Sequence, residues 1–316
     1  MQIQENERKR EQLRFAEELC KEVLALLGEG YRTELSQVRK NNGVLKDALY
    51  VRRENSDCVP CFYVDELYRS HCDGEPLPGL AEHMVNIVLN ECEAVRNQSQ
   101  HFFEPEWIKE RLFLRLVQAE SNEMWLQDAV YVRILDLVAV FYVLTEDAED
   151  GIKSFQLPTR IWELLNLGSP EEYFPQMLEN TRHLFPEKLW CMEQNIRECI
   201  IYGENAPAVR LVSPEEYVSE RLYVLSNYRR INGAAVVLYP ELLHTIAEKF
   251  GGNYYVIPSS VHEVLILKET EEEDVGYLNC MVQTVNKQKV IPEEVLSDHV
   301  YYYSAEEGRL QSRAKV

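Results

Sequence analysis

The hydrophobic and polar positions of this chain repeat one arrangement three times: an apolar strand opening, a polar loop, a second strand, and a helix that ends near a glycine. The strand openings lie at residues 49–51, 141–144 and 222–225. The links within each strand pair are too short for a helical crossover, so we expect antiparallel pairing. The pattern predicts an α+β fold of repeated strand–loop–strand–helix units with mainly antiparallel sheets.

Local signals place further elements around the first copy. Apolar residues recur at helical spacing within residues 5–27, which predicts an amphipathic helix. Residues 35–51 predict a β-hairpin, because Asn42-Gly43 supplies the two residues with positive φ that a tight type I′ turn needs. Pro60 has no backbone donor, so we expect the strand that contains it, at residues 59–64, to lie at a sheet edge or to carry a bulge.

The middle of the chain predicts a helix followed by a buried strand. Pro105 suits the first turn of a helix, and Ile108, Leu112 and Leu116 then recur at i+4 steps. Residues 135–144 are almost continuously apolar, which is typical of a strand buried on both faces.

The C-terminal part predicts both helix and strand. Residues 187–198 have helical character, and residues 234–239 are expected to form the second strand of the third copy. A hairpin is expected to turn at residues 258–260. A terminal strand at residues 299–303 is followed by a polar tail from Ser304, which we expect to be frayed.

The domain organisation is predicted from length and from one polar stretch. A chain of 316 residues can bury one or two hydrophobic cores. Residues 97–100 are the best linker candidate. We therefore expect an N-terminal α+β domain over residues 1–100, with the first copy, and a larger α+β domain over residues 101–316, with the other two.

The charge balance restricts the partners. With 33 Lys and Arg against 53 Asp and Glu, the formal net charge is −20. Nucleic-acid binding depends on cations that neutralise phosphates, so we expect neither nucleic acid nor an anionic membrane as a partner.

The location is predicted from the termini, the apolar runs and the cysteines. The first eleven residues are highly polar, and the longest apolar run, residues 137–144, is too short to cross a bilayer. Eight cysteines spread over 316 residues do not resemble a small disulfide framework. We expect a cytoplasmic protein with reduced thiols.

One cysteine pair could bind a metal. Cys58 and Cys61 have Cys-x-x-Cys spacing, with His71 and Cys72 downstream, and four such ligands could hold tetrahedral zinc. A redox dithiol is a second interpretation. Because a second Cys-x-x-Cys is missing, we interpret these as incidental reduced cysteines and expect no cofactor, with zinc stabilisation as the alternative.

Ser260, His262 and Glu263 group a hydroxyl, an imidazole and a carboxylate, the components of a hydrolytic triad. In a strand, Ser260 and His262 would point to one face and Glu263 to the other, so this carboxylate could not orient that histidine. Proline and serines are also common at a hairpin turn. The turn interpretation is the simpler one.

Asp136 interrupts an otherwise apolar strand. One interpretation is a buried acid with a raised pKa. The other is a residue at the strand end that meets a backbone N–H or an arginine such as Arg115 or Arg133, because buried charges are usually paired.

The chain has 18 tyrosines, including the runs at residues 254–255 and 301–303. Exposed tyrosines are effective interface anchors. Strand alternation, however, would place half of each run in the core. An interaction surface and a core role are both open at this point.

Four features stand out along the chain: Val-Arg-Lys-Asn-Asn-Gly at residues 38–43, Asn122, Asp136-Leu137, and the block from Asn232-Gly233 to Glu263. Together they resemble an uncharacterised bacterial family, known from gut-dwelling anaerobic Firmicutes, that carries only a domain-of-unknown-function label. The resemblance covers about residues 34–267, and the latter half is similar to a second uncharacterised bacillar family. It implies a bacterial cytoplasmic protein and supports the fold, but it implies no activity and no catalytic residue.

The function predicted from the sequence is a non-enzymatic cytoplasmic binding or adaptor protein, with a protein partner or a second copy of itself. The alternatives are an enzyme with a polar pocket, such as a hydrolase, and a zinc-stabilised protein. No catalytic residue is assigned. The candidate pocket residues are Asn42, Asn122, Asp136, Ser260, His262 and Glu263.

Overall fold

The computed structural model describes residues 2–56, 59–98, 104–148, 151–192, 221–270 and 274–314. These residues form a mixed α+β fold with three antiparallel sheets. The chain divides into two compact units, Met1–Lys40 with Val44–Trp107, and Asn41–Gly43 with Ile108–Val316. In the part of the chain that is described, no helix is long and apolar enough to cross a membrane.

The first unit packs three helices with a three-stranded sheet of order β1-β2-β3. Its elements are α1 (Gln2–Leu27), β1 (Tyr31–Arg39), β2 (Leu45–Arg53), β3 (Cys61–Tyr63), α2 (Val64–Cys72) and α3 (Leu77–Gln98). The core forms where Leu19 and Val23 of α1 meet Leu49 and Val51 of β2 and Met84 of α3. The helical spacing in α1 exists because this one face is buried.

The predicted hairpin of the first unit is confirmed, but its turn is the three-residue 3₁₀ segment Asn41–Gly43 and not the expected tight type I′ turn. β1 and β2 pair antiparallel, and the Lys40 N–H donates to the Val44 carbonyl at 2.7 Å to close the turn. Asn42 and Gly43 both have positive φ, at 59° and 70°. β3 begins directly after Pro60, which therefore lies outside the strand, and β3 is an edge strand of the sheet, the position expected for this segment.

The second unit contains a four-stranded sheet in which the central strand pairs with the other three. The strands are β4 (Leu112–Gln118), β5 (Tyr131–Ile134), β6 (Leu137–Ala148) and β7 (Gly151–Gln156). α4 (Pro105–Glu110) spans the point where the chain passes from the first unit to the second, and α5 (Thr159–Leu165) and α6 (Pro170–Leu184) belong to the second unit. β6 is buried from residue 137 to residue 144, as its apolar run predicts.

Two predictions in this region are wrong. The helix expected from Pro105 ends at Glu110, and Leu112 and Leu116 lie in β4 instead. Successive residues of β4 are buried on both faces, so i+4 leucine spacing does not distinguish strand from helix there. The strand expected over residues 135–144 begins two residues later, at Leu137, because Leu135 adopts φ 57° in the turn between β5 and β6.

A six-stranded sheet completes the second unit, in the order β13-β12-β10-β11-β9-β8. Its strands are β8 (Glu187–Cys191), β9 (Leu222–Asn227), β10 (Tyr254–Ser260), β11 (Glu263–Lys268), β12 (Tyr301–Ser304) and β13 (Arg309–Ser312). Two helices, α7 (Leu242–Phe250) and α8 (Val275–Gln288), accompany it. Leu278 and Val282 of α8 pack on the face that carries Tyr255 and Ile257.

The third copy of the sequence pattern does not form as predicted. Residues 234–239 were expected to be a strand, but Gly233–Leu238 is a 3₁₀ helix. Residues 233–237 are all buried, so this segment has no alternation of polar and apolar positions that could distinguish a strand from a helix. The third copy therefore lacks its second strand, and three equivalent units are not seen.

Two further predictions in the six-stranded sheet are wrong. Residues 187–191 were expected to begin a helix, but they form β8, which pairs with β9. Residues 193–198 of that predicted helix lie outside the described residues. In the described part of the tail after Ser304, the expected fraying is not found, because residues 309–312 form β13, which pairs with β12. Both strands depend on a partner that no local pattern reveals.

The two tyrosine runs belong to the core. Tyr254, Tyr255, Tyr301 and Tyr303 are each no more than 6% exposed. The rings of Tyr254 and Tyr303 stack with centroids 5.1 Å apart across the β10–β12 pair. Both faces of the sheet are covered at these four tyrosines, so they do not form the interaction surface that the sequence left open.

Candidate functional site

A cleft of about 850 Å³ opens in the second unit. Its walls come from the Asn41–Gly43 turn, the end of β4, the β5–β6 turn, the end of α8 and the segment that follows α8. Polar side chains on these walls include Asn42, Gln118, Asp136, Lys287 and His299. The volume lies in the range of small-molecule sites.

Asp136 is the centre of a polar cluster on the cleft wall. The buried Tyr301 hydroxyl donates to both Asp136 carboxylate oxygens at 3.1 Å. The His299 Nε2 atom lies 3.5 Å from Asp136 Oδ1. The side chains of Asp136 and His299 remain 32% and 15% exposed, so both can meet a small molecule in the cleft.

The environment keeps Asp136 ionised. Burial is the largest single influence and raises the pKa of Asp136, but the hydrogen bond and charge of His299, followed by hydrogen bonds from the backbone and Tyr301, outweigh it. The net effect lowers the pKa below its ordinary value of 3.8. Burial and the Asp136 charge raise the pKa of Tyr301, so this phenol stays a neutral donor.

The predicted partner of Asp136 was a backbone N–H or an arginine. The structure places Asp136 at the strand end, as the second interpretation proposed, and a backbone hydrogen bond to its carboxylate is present there. Among the described residues, its side-chain partners are Tyr301 and His299 and not the expected arginine. Tyr301 lies 165 residues further along the chain. The raised pKa of the first interpretation is not found, because these partners stabilise the charged form.

His299 also contacts two serine hydroxyls, but not in the order that a nucleophilic triad needs. Ser312 Oγ lies 2.8 Å from Nε2, the same ring nitrogen that faces Asp136. In a triad, the carboxylate orients one nitrogen while the other accepts the hydroxyl proton. Ser297 Oγ lies 3.2 Å from Nδ1, yet Ser297 is 2% exposed and its hydroxyl also contacts the main chain of His299. The geometry does not present an activated serine.

Asn42 and Asn122 shape the cleft from one side. The Asn42 side-chain amide donates to the Pro292 and Val295 carbonyls at 2.9 and 2.7 Å. The Asn42 N–H donates to Asn122 Oδ1, and Asn122 Nδ2 and Ser121 Oγ both donate to Asn42 Oδ1. Asn122 is buried, and this network fixes the segment at 292–295, part of which lines the cleft.

His262 belongs to a separate cluster. Its Nδ1 accepts the Asn232 N–H at 3.1 Å, which places the ring proton on Nε2, and Nε2 lies 3.4 Å from Glu294 Oε1. His262 was expected to lie in a strand, after a turn at residues 258–260. It lies in the β10–β11 turn instead, because β10 continues through Ser260.

The Ser260, His262 and Glu263 side chains do not form a triad. The His262 main-chain N–H, and not its ring, donates to Ser260 Oγ at 3.1 Å. The Glu263 carboxylate accepts from Ser259 at 3.3 Å. Over the described residues, the cleft lining includes Asn42 and Asp136 and leaves out Ser260, His262 and Glu263.

A family of unknown function, DUF5688, matches residues 13–305, which is nearly the whole chain. The chain belongs to this family. Neither the curated proteins nor the solved structures gave a match. Membership in DUF5688 agrees with the resemblance to a domain of unknown function over most of the chain, and it assigns no activity to the cleft.

The alternative zinc ligands do not gather in the described part of this DUF5688 chain. Cys58 lies outside the described residues. Cys61 and Cys72 are exposed thiols, and the His71 ring stacks on Phe15 with centroids 5.0 Å apart. Within the described ranges, no group of three or more His, Cys, Asp or Glu side chains could hold a metal ion.

Sequence reasoning missed His299, Tyr301 and Ser312. The His299-x-Tyr301 spacing was a usable signal, because residues two apart at a strand end can present their side chains to one face. The contact with Asp136 was not predictable, since it depends on how the two sheets of the second unit meet.

Proposed function

We propose that this protein is a non-enzymatic binding protein that holds a small polar ligand in the cleft. The ligand carries a hydroxyl or ammonium donor that bonds to Asp136. The observation that carries the proposal is the ionised, partly exposed Asp136 carboxylate on the wall of a cleft of about 850 Å³. Around it lie amide, imidazole and ammonium groups able to orient a polar molecule.

The fixed cleft wall supports binding. Asn42 uses both ends of its side-chain amide within the protein, and so does Asn122. Their role is to hold the wall in place, which lowers the ordering cost when a ligand enters. Bacterial origin, cytoplasmic location and a protein partner or second copy remain parts of the proposal that rest on the sequence alone.

Titration calorimetry tests the proposal with three probes: glucose for hydroxyl donors, glutamine for a zwitterion, and putrescine for ammonium donors. We expect at least one to bind, and Asp136→Asn to weaken that binding about tenfold, the usual effect of removing a charged hydrogen-bond acceptor. Asp128→Asn is the matched control, because it removes the same charge at an exposed residue away from the cleft lining. Equal weakening by both variants, or no binding of any probe, would contradict the proposal.

A second function, proton transfer to a bound substrate, has one specific observation in its favour. An ionised carboxylate and an imidazole meet at 3.5 Å on the cleft wall, and such a pair can move protons. Incubating the protein with a probe that binds and recording its proton NMR spectrum separates the two functions. If the ligand stays unchanged, the result supports binding alone. If the ligand is converted and the conversion persists in His299→Gln, the Asp136–His299 pair does not carry out the reaction and this second function is ruled out.

A further inference from the structure

We propose that the first unit contains a separate site for the phosphate group of a small soluble molecule, at the open end of the β1–β2 hairpin. Arg32, Arg52 and Arg53 line a cavity of about 350 Å³ there, and the turn residues 54–56 complete its lining. This site is independent of the cleft and of the function proposed for it.

The strand register brings two of these cations together. Arg32 of β1 and Arg52 of β2 are direct partners in the antiparallel pair. Side chains directly opposite each other lie on one face of the sheet, with Cβ atoms about 5 Å apart, and like charges there destabilise the pair. The chain is rich in acidic residues, with 53 Asp and Glu, yet two arginines and not an ion pair face each other at this point. A bound anion would remove the repulsion between them.

The protein itself neutralises this cluster only in part. Arg52 Nε donates to Glu34 Oε2 at 3.3 Å, while Arg53 lies over the Tyr31 ring at 5.8 Å. Among the residues that the structure describes, neither Arg32 nor Arg53 forms an ion pair with a carboxylate. Of the six lining residues, three are arginines and one, Glu54, is acidic.

The chemistry of guanidinium favours phosphate as the missing anion. Arginine presents a planar fork of donors that matches phosphate oxygens in pairs, and it keeps its charge at any physiological pH. A cavity of this size admits a phosphate or diphosphate group but not the whole of a large ligand. The net charge of −20 opposes a phosphate-rich polymer or an anionic membrane, which leaves a small phosphorylated molecule.

Titration calorimetry of the intact protein with inorganic pyrophosphate tests the site. We expect a dissociation constant of about 1 mM or below at low salt, weakened about tenfold or more in Arg32→Gln and unchanged in Asp136→Asn. Arg14→Gln is the matched control, because Arg14 is an exposed arginine of α1 in the same unit and away from this cavity. No pyrophosphate binding, or equal weakening in Arg14→Gln, overturns the proposal.

Thermal melting gives a second readout that a purely structural arginine would not produce. Without ligand, Arg32→Gln removes the repulsion with Arg52 and should melt at the wild-type temperature or higher. Pyrophosphate should raise the melting temperature of the wild type but not of Arg32→Gln. A melting temperature of ligand-free Arg32→Gln below that of the wild type contradicts the proposal. A sedimentation assay with phosphatidic acid vesicles tests a membrane instead: a protein that co-sediments with the vesicles but does not bind pyrophosphate also contradicts the proposal.

Discussion

Gly233 provides the sharpest stability prediction. A Cβ atom added there would overlap with Ser226 Oγ and lie 2.5 Å from the His262 carbonyl oxygen and 2.8 Å from the Asn227 nitrogen. Overpacking a core costs about 1–3 kcal/mol. Displacing Ser226 also breaks its 2.7 Å hydrogen bond to the His262 carbonyl, which adds about 1–3 kcal/mol if that oxygen stays buried. We expect Gly233→Ala to lose about 2–6 kcal/mol of unfolding free energy.

Urea unfolding followed by circular dichroism measures this loss. Gly252→Ala is the control, since a Cβ there meets nothing within 4 Å, and its effect should stay within about 0.5 kcal/mol. Adding Ser226→Gly to Gly233→Ala removes the closest overlap but leaves the two backbone contacts, so we expect partial recovery only. A loss below about 0.5 kcal/mol in Gly233→Ala, or full recovery in the double variant, would refute the packing argument.

Three further predictions concern the cleft wall, its carboxylate and a helix cap. Asn42→Gly keeps the positive φ but loses the bonds to the Pro292 and Val295 carbonyls, so urea unfolding should show a loss of about 2 kcal/mol, and no loss would contradict it. Asp136→Asn should lower stability at neutral pH by about 1 kcal/mol. Because the folded-state pKa of Asp136 is lowered, its contribution is present above about pH 4 and disappears as pH falls through the folded-state pKa, so wild type and Asp136→Asn should converge in acid melts. Ser169→Ala removes the capping box of α6 and should cost about 1 kcal/mol in urea unfolding, which an unchanged midpoint would disprove.

The parts of the fold that were predictable from the sequence are those with a local cause. The β1–β2 hairpin follows from Asn42-Gly43, whose positive φ angles few residue types adopt. The mixed α+β class follows from alternating apolar runs and short links. Residues 112–118 and 233–238 were predicted wrongly because burial on all sides removes the periodicity that separates helix, 3₁₀ helix and strand.

The candidate site was predictable to a smaller extent. Asp136 could be found because a carboxylate beside a buried apolar run needs a compensating partner. His299 and Tyr301 could not be linked to it, since Tyr301 lies 165 residues further along the chain, His299 lies two residues before Tyr301, and both contacts depend on tertiary packing. Asn122 likewise meets Asn42 from 80 residues away, so its place behind the cleft wall had no local signal.

The central claim, that the cleft binds a small polar ligand at Asp136, is tested most directly by proton NMR of the histidine rings during a titration with glucose, glutamine or putrescine. His299 lines the cleft, whereas His262 lies outside its lining and serves as an internal control. We predict that a bound probe shifts the His299 ring resonances, that those of His262 stay fixed, and that Asp136→Asn abolishes the shift at the same probe concentration. Resonances of His299 that do not move with any probe, or that move equally in Asp136→Asn, would contradict the account.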